Sequence, residues 1–360
     1  MRFCSHRCYT GGFYTLLSEL PVTISELVKA SGATLKVFDM GRRIQLLDSR
    51  VFEQIEELRH PYPSPYLKHA WLGLLSCHTS NPGQNGIWFL KLPLDEQNLL
   101  EPASRDAFVR YCAERMKTGD LSEKGEAPFS FKPDANRMAY FHALASRELG
   151  AESSRFYGIA RAYLSGDMGW DNWQQLGLQG LAEVVASLGQ DDNQALLAQA
   201  VPYMPTVPLN VVLGFLENQA PDQLLTSAIN DRLAAVIKSG ATPADLAAFA
   251  RALSHSQNIQ QRRLLLQALL QHHESRSVEV LAAVSSRCWA DLEGSLLVSF
   301  LETLAHNEQG QDAFTALVGD MMTLPGMRHR MLKAFSDESR SEQLDASIRA
   351  LFQMVTGTVQ

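Results

Sequence analysis

The sequence predicts an α+β N-terminal domain with a mainly antiparallel sheet, followed by an all-α region of stacked helix pairs, a HEAT-like solenoid. Three observations lead there. The apolar runs that read as strands all lie before residue 95. From Asn136 onward strand signals nearly vanish and apolar residues recur three and four apart, the helical spacing. The helical segments are short, each ended by Gly, Pro, Asn or Asp, as stacked antiparallel pairs require. No sharp repeat consensus emerges, and a single compact helical domain is the alternative.

Residues 1–22 carry Arg2 and Arg7 and a short apolar part broken by Glu19. With no small-residue cleavage site after it, the stretch reads as a disordered leader or an early start rather than a signal peptide. The α+β domain spans 23–117. It opens on "TISELVKASG", where Thr23 and Glu26 have capping-box spacing and Gly32 supplies a stop. "ATLKVFDM" and "RRIQLLD" read as two strands around Gly41, and "SRVFEQIEELRH" as a helix through Val51, Ile55 and Leu58. "PYPSPY" is barred from helix by its prolines. "KHAWLGLLSCH" and "GIWFLKLPL" read as two more strands joined by the turn "TSNPGQNG", and "EPASRDAFVRYCAERM" as a helix with Pro102 in its first turn. Residues 118–135 are polar and rich in Gly, Ser and Pro, a linker whose "PFSF" piece is expected to pack onto a neighbour. The helical-repeat domain spans 136–356, with helices expected in "DNWQQLGLQGLAEVVASLG", "DQLLTSAINDRLAAVIKSG" and "TPADLAAFARALSHS". "NIQQRRLLLQALLQHH", "GSLLVSFLETLAHN" and "SEQLDASIRALFQMV" follow the same pattern.

Composition narrows the function. The chain has 360 residues, 46% hydrophobic and 20% charged, the profile of a soluble globular protein with room for two or three domains. Its net charge of -7 argues against general nucleic-acid binding, whose affinity comes from neutralised phosphates. From Ala151 on there are 22 acidic and 14 basic residues, so the basic share sits in the first part. Five scattered cysteines, Cys4, Cys8, Cys77, Cys112 and Cys288, fit a reducing, cytoplasmic setting better than a disulfide framework. No apolar run of about 18 residues predicts a membrane span.

The familiar catalytic constellations are missing from the sequence: there is no phosphate loop, dinucleotide fingerprint, nucleophile elbow or zinc-protease helix. "CSHRC", with Cys4, His6 and Cys8, lacks a second ligand pair, and His272 and His273 would point about 100° apart on a helix, so neither a metal nor a cofactor is expected. Function must then sit elsewhere. Asp39, Arg42 and Arg43 crowd the first strand pair; Lys91, Asp95 and Glu96 crowd the fourth strand. The first expectation is internal pairing of Asp95 or Glu96 with Arg42 or Arg43; a docking edge or a catalytic site are the others. Trp170 and Trp173, followed by Gly177 and Gly180 at the same spacing, read as core filling beside a close helix crossing, or as an aromatic pocket for a peptide or ligand.

At these residues the chain resembles a bacterial family of domains of unknown function, of similar length, marked near the start by "FDMGRR", here Phe38–Arg43. "HAWLGLL" at His69–Leu75, "WFLKLPLDEQ" at Trp88–Gln97, "RDAF" at Arg105–Phe108 and "PFSFKPD" at Pro128–Asp134 also match. So do "RMAYFHA" at Arg137–Ala143 and "WQQLGLQGLAE" at Trp173–Glu183. The resemblance runs from about Thr23 to the end, leaves the leader outside, and implies no activity.

The function read from the sequence is a cytoplasmic adaptor or scaffold, an α+β head on an acidic helical array that binds a partner protein. One alternative is an enzyme of unfamiliar type at the junction of head and array, using the charged cluster with His69 or His142. Another is RNA or ribonucleoprotein binding through the head, with Tyr62 and Tyr66 stacking bases beside Arg59 and Lys68. Against that stands a proline-fixed loop covering the sheet edge.

Overall fold

The computed structural model describes residues 23–78, 85–118 and 127–357. The leader with its "CSHRC", most of the "TSNPGQNG" turn, and positions 119–126 of the expected linker lie outside the described residues. Helix α1 (Ile24–Ala30) starts on the expected capping box, with Thr23 and Glu26 satisfying each other's backbone N–H groups. Strands β1 (Thr34–Asp39), β2 (Gln45–Leu47), β3 (His69–Cys77) and β4 (Gly86–Pro93) form one antiparallel sheet in the order β2-β1-β3-β4. Helix α2 (Ser49–Glu56) follows β2, capped by Asp48, and α3 (Pro102–Thr118) follows β4.

The sheet is buried on both faces, and strand alternation decides which side chain goes where. Val37, Leu72, Leu74, Leu90 and Leu92 point to one side, into a core shared with Ile24, Phe52, Ile55 and Phe108 of the three helices. Phe38 and Leu75 point to the other, into the core of the helical region. Residue 73 must be glycine there, because a Cβ would stand 2.8 Å from the Phe141 ring. The expected packing of "PFSF" is found at the outer edge of β4: Lys91 N–H donates to Phe129 O (2.8 Å) and Phe131 N–H to Phe89 O (3.0 Å). That covers a sheet edge otherwise open to pairing.

After it come α4 (Ala135–Glu148), α5 (Arg155–Leu164), α6 (Leu178–Ala186), α7 (Asn193–Ala200), α8 (Thr206–Leu216) and α9 (Gln223–Ser239). Then follow α10 (Pro243–Leu253), α11 (Ile259–Gln271), α12 (Val278–Arg287), α13 (Gly294–Ala305), α14 (Gln311–Met322), α15 (Met327–Ala334) and α16 (Glu342–Gly357). Even-numbered helices pack in series from α4 to α14; odd-numbered ones line up beside them, α5 on α7 on α9 and α11 on α13 on α15. This is a two-layer stack of short helices behind a small antiparallel sheet, the expected fold class. Gly180 marks the closest approach in the stack: a Cβ there would lie 2.2 Å from Phe156 O of α5, so the expectation of a tight glycine crossing holds. The sequence around it differs in one respect. Trp170–Gln175 is a separate 3-10 turn, and α6 begins only after an extended Leu176.

Candidate functional site

The connection from β1 to β2, "DMGRR", leaves the sheet and enters the helical stack. Asp39 shapes it. Its Oδ1 accepts the Gly41 N–H (2.7 Å), its Oδ2 accepts the Ser64 hydroxyl, and the carboxyl is fully buried. Burial pushes this carboxyl above its ordinary value, against the pull of Ser64, the Gly41 N–H, Tyr62 and the Arg137 charge. Gly41 O accepts from Arg137 Nη2 of α4 (2.6 Å), so both backbone polar groups of Gly41 are held.

Arg43 then reaches the ends of three helices at once. Its Nε donates to the carbonyl of Glu217 just after α8 (3.0 Å). Its Nη2 donates to Ser254 Oγ, the residue closing α10 (2.9 Å), and to the carbonyl of Arg287, the last residue of α12 (2.7 Å). Helix C-termini have unpaired carbonyls and a partial negative charge near half an elementary unit, so a guanidinium is the side chain they favour. Glu217 and Arg287 pair beside it (3.0 Å), and Asn218 Oδ1 accepts the Ile44 N–H (2.7 Å).

Arg42 goes to the fourth helix. Its Nη2 meets Asp320 Oδ2 in the last turn of α14 (2.8 Å), its Nε donates to Pro65 O (2.9 Å), and its guanidinium lies over the Tyr66 ring. Only 2% of Arg42 is exposed. Burial lowers its pKa and Asp320 counters that. Asp320 Oδ1 also accepts the Leu67 N–H (3.0 Å), which ties the "PYPSPY" loop to the same carboxylate. That loop therefore wedges between β3 and α14, where the sequence suggested an edge cover. Asn98, after β4, adds a bond to Thr323 O at the end of α14 (2.8 Å).

The predicted site residues thus divide. Asp39, Arg42 and Arg43 come together. Lys91, Asp95 and Glu96 do not join them, and the expected pairing of Asp95 or Glu96 with Arg42 or Arg43 is replaced by Asp320 and the helix ends. The reason is topological: β3 lies between β1 and β4, so the two charged stretches are not cross-strand neighbours. Lys91 sits over the Trp71 ring, directly across the β3–β4 ladder. Asp95 closes its own turn by accepting from Gln97 N–H and Leu99 N–H, and Glu96 is exposed. Of the RNA-stacking pair, Tyr62 is 1% exposed, and the half-buried Tyr66 has the Arg42 guanidinium over its ring and Trp71 tilted beside it. His69 holds Leu67 O, and His142 lies on α4.

Sequence reasoning missed Arg137, Glu217, Asn218, Ser254, Arg287 and Asp320. One signal could have found four of them. Glu217, Ser254, Arg287 and Asp320 recur at roughly 35 residues, the length of a helix-pair repeat.

The opposite rim is different. Helix α8 has 11 residues, so its start lies about 16 Å from the Arg43 contact. Just before that start is Tyr203, 66% exposed, and Trp170 stacks on it with ring centroids 5.7 Å apart and planes at 19°. Trp170 also meets the buried Tyr163 edge-on, and Tyr163 Oη donates to Trp170 O (3.1 Å). Trp173 is half-buried against the helical core. Further along the same rim, before α12 and α14, a cavity of about 480 Å3 is lined by His272, His273, Arg276, Glu302 and His306.

Among the described residues no helix is long and apolar enough to cross a membrane. No curated protein and no solved structure matches the chain. The model of one family, described as protein of unknown function (DUF3549), matches residues 21–352, and the chain belongs to that family.

Proposed function

We propose that this family member is a protein-binding adaptor or scaffold, in which the α+β head braces the helical stack and the opposite rim receives the partner. The observation that carries this reading is where the charged motif goes. Arg42 and Arg43 end on α8, α10, α12 and α14, four successive helices of one layer, so the head ties together elements that otherwise touch only their neighbours. A side chain held by several internal partners is a brace, and the Arg42 nitrogen that has no partner, Nη1, is buried out of a docking protein's reach. The exposed Tyr203, stacked on the half-buried Trp170, lies at the other end of α8. Free thiols at Cys77, Cys112 and Cys288 support a reducing compartment such as the cytoplasm.

The experiment is affinity capture from native cells with identification by mass spectrometry, using wild type, Tyr203→Ala and Leu67→Ser. Leu67 is an exposed head residue and reports on the other end. The expected result is one enriched protein, kept by Leu67→Ser and lost by Tyr203→Ala at an unchanged melting temperature. Retention by Tyr203→Ala with loss by Leu67→Ser moves the docking surface to the head. Absence of any enriched protein sinks the adaptor reading.

A further inference from the structure

Five aromatic rings in the described structure have a cation of this chain over them: Tyr66, Trp71, Tyr111, Phe156 and Tyr157. Among the described residues none lies over Trp170 or Tyr203, although Tyr203 is the most exposed large hydrophobic side chain. The sequence explains this. Residues 162–231 contain eight Asp and Glu and not one Lys, Arg or His. The cation that ends this stretch, Arg232, is turned inward, donating to Pro202 O and Met204 O and so fixing the loop that holds Tyr203.

The rings are preset. Tyr163 is buried, Trp170 stands edge-on to it, and Tyr203 stacks on Trp170, so each ring is held by the one beneath. Gly166, at φ +86°, turns the chain out of α5 towards Trp170. Asp167 and Asp171, both exposed, flank Trp170 in the chain, and the exposed Val207 follows Tyr203 on the first turn of α8. An electron-rich ring face attracts a cation, nearby carboxylates add to it, and an apolar neighbour accommodates the methylene stem of a long basic side chain.

We infer that the Trp170–Tyr203 rim docks an arginine- or lysine-bearing segment of a partner protein. The inference rests on the adaptor reading and gives its docking surface a chemistry. The surrounding negative charge selects against acidic segments, nucleic acid and anionic membrane alike.

The test is a fluorescence-anisotropy titration of the full chain with a labelled peptide of alternating arginine and serine. The same peptide with glutamine or glutamate in place of arginine serves as comparison. The arginine peptide is expected to bind saturably and to weaken with salt, and the other two to fail. Tyr203→Ala and the Asp167→Asn/Asp171→Asn pair should each weaken binding roughly ten-fold. Glu152→Gln, a remote exposed acid, should leave it unchanged. Equal binding of the glutamine peptide, or arginine-peptide binding that the rim variants do not weaken, overturns the inference. The two readings fail separately. A captured protein that needs Tyr203 but docks through a segment free of Arg and Lys refutes the chemistry and leaves the adaptor. Arginine-peptide binding at the rim with no protein captured refutes the adaptor and leaves the chemistry.

Discussion

At the rim where α8, α10, α12 and α14 end, cations are drawn in and covered; where α8 begins, Tyr203 faces outward on Trp170 and, among the described residues, no cation lies over either ring. The helices themselves set this asymmetry. Their C-termini are negative: Arg43 donates to the carbonyls of Glu217 and Arg287, while Arg42 and Arg287 pair with the carboxylates of Asp320 and Glu217 at the same ends. A dense charge motif in the sequence thus marked an internal joint, whereas the rim proposed here as the docking surface is marked by a stacked ring pair that no such motif announces.

Four measurements break or sharpen that contrast. Arg42→Ala leaves Asp320 buried and without its guanidinium, and should cost about 3–5 kcal/mol in urea unfolding. Because the loss comes from the orphaned charge, Arg42→Met combined with Asp320→Leu should recover most of it; a double-mutant cycle showing no coupling would remove the joint from the account. Arg43→Met deletes donors to three helix ends without stranding a carboxylate, and should cost about 1–3 kcal/mol. Asp39→Asn tests the raised carboxyl. The folded pKa lies above the unfolded value of 3.8, so the stability Asp39 contributes is fully present below 3.8 and is lost as pH rises through the folded value. Unfolding followed from pH 7 down to pH 4 should therefore show wild type gaining on Asp39→Asn as the acid side is approached; parallel curves would contradict the assignment. At the far rim, Tyr203→Ala should change stability by less than about 0.5 kcal/mol, as expected of an exposed side chain outside the core.

Much of the fold was legible in the sequence because it is local. The Thr23 capping box, the strand pairs and the helix at Asp222–Gly240 are each specified within a few residues of themselves. The pairing of "PFSF" with β4 was anticipated only as packing, since nothing in the segment says which edge it will meet. The joint was half legible. The motif containing Asp39, Arg42 and Arg43 stood out, but its partners did not, because Glu217, Ser254, Arg287 and Asp320 are single residues at helix ends. Lacking sight of strand order, the sequence reading matched those arginines to the acids that end the other charged strand, Asp95 and Glu96. The tryptophans were expected to fill a core beside a close glycine crossing or to form an aromatic pocket; Gly180 makes the crossing, but Trp170 and Trp173 sit half-buried on a separate 3-10 turn, and Tyr203, which stacks on Trp170, lies in a loop without periodicity to flag it.

The Arg42–Asp320 pair joins positions 278 residues apart. During synthesis at about 5–20 residues per second, the head emerges roughly 14–56 s before the helix that receives its arginine. Within that interval Phe38 meets Phe141 once α4 is made and Arg43 meets its helix ends as α8, α10 and α12 arrive, so Arg42 alone waits for α14. The joint therefore closes stepwise along the chain, and the buried Arg42–Asp320 pair is its last bond to form.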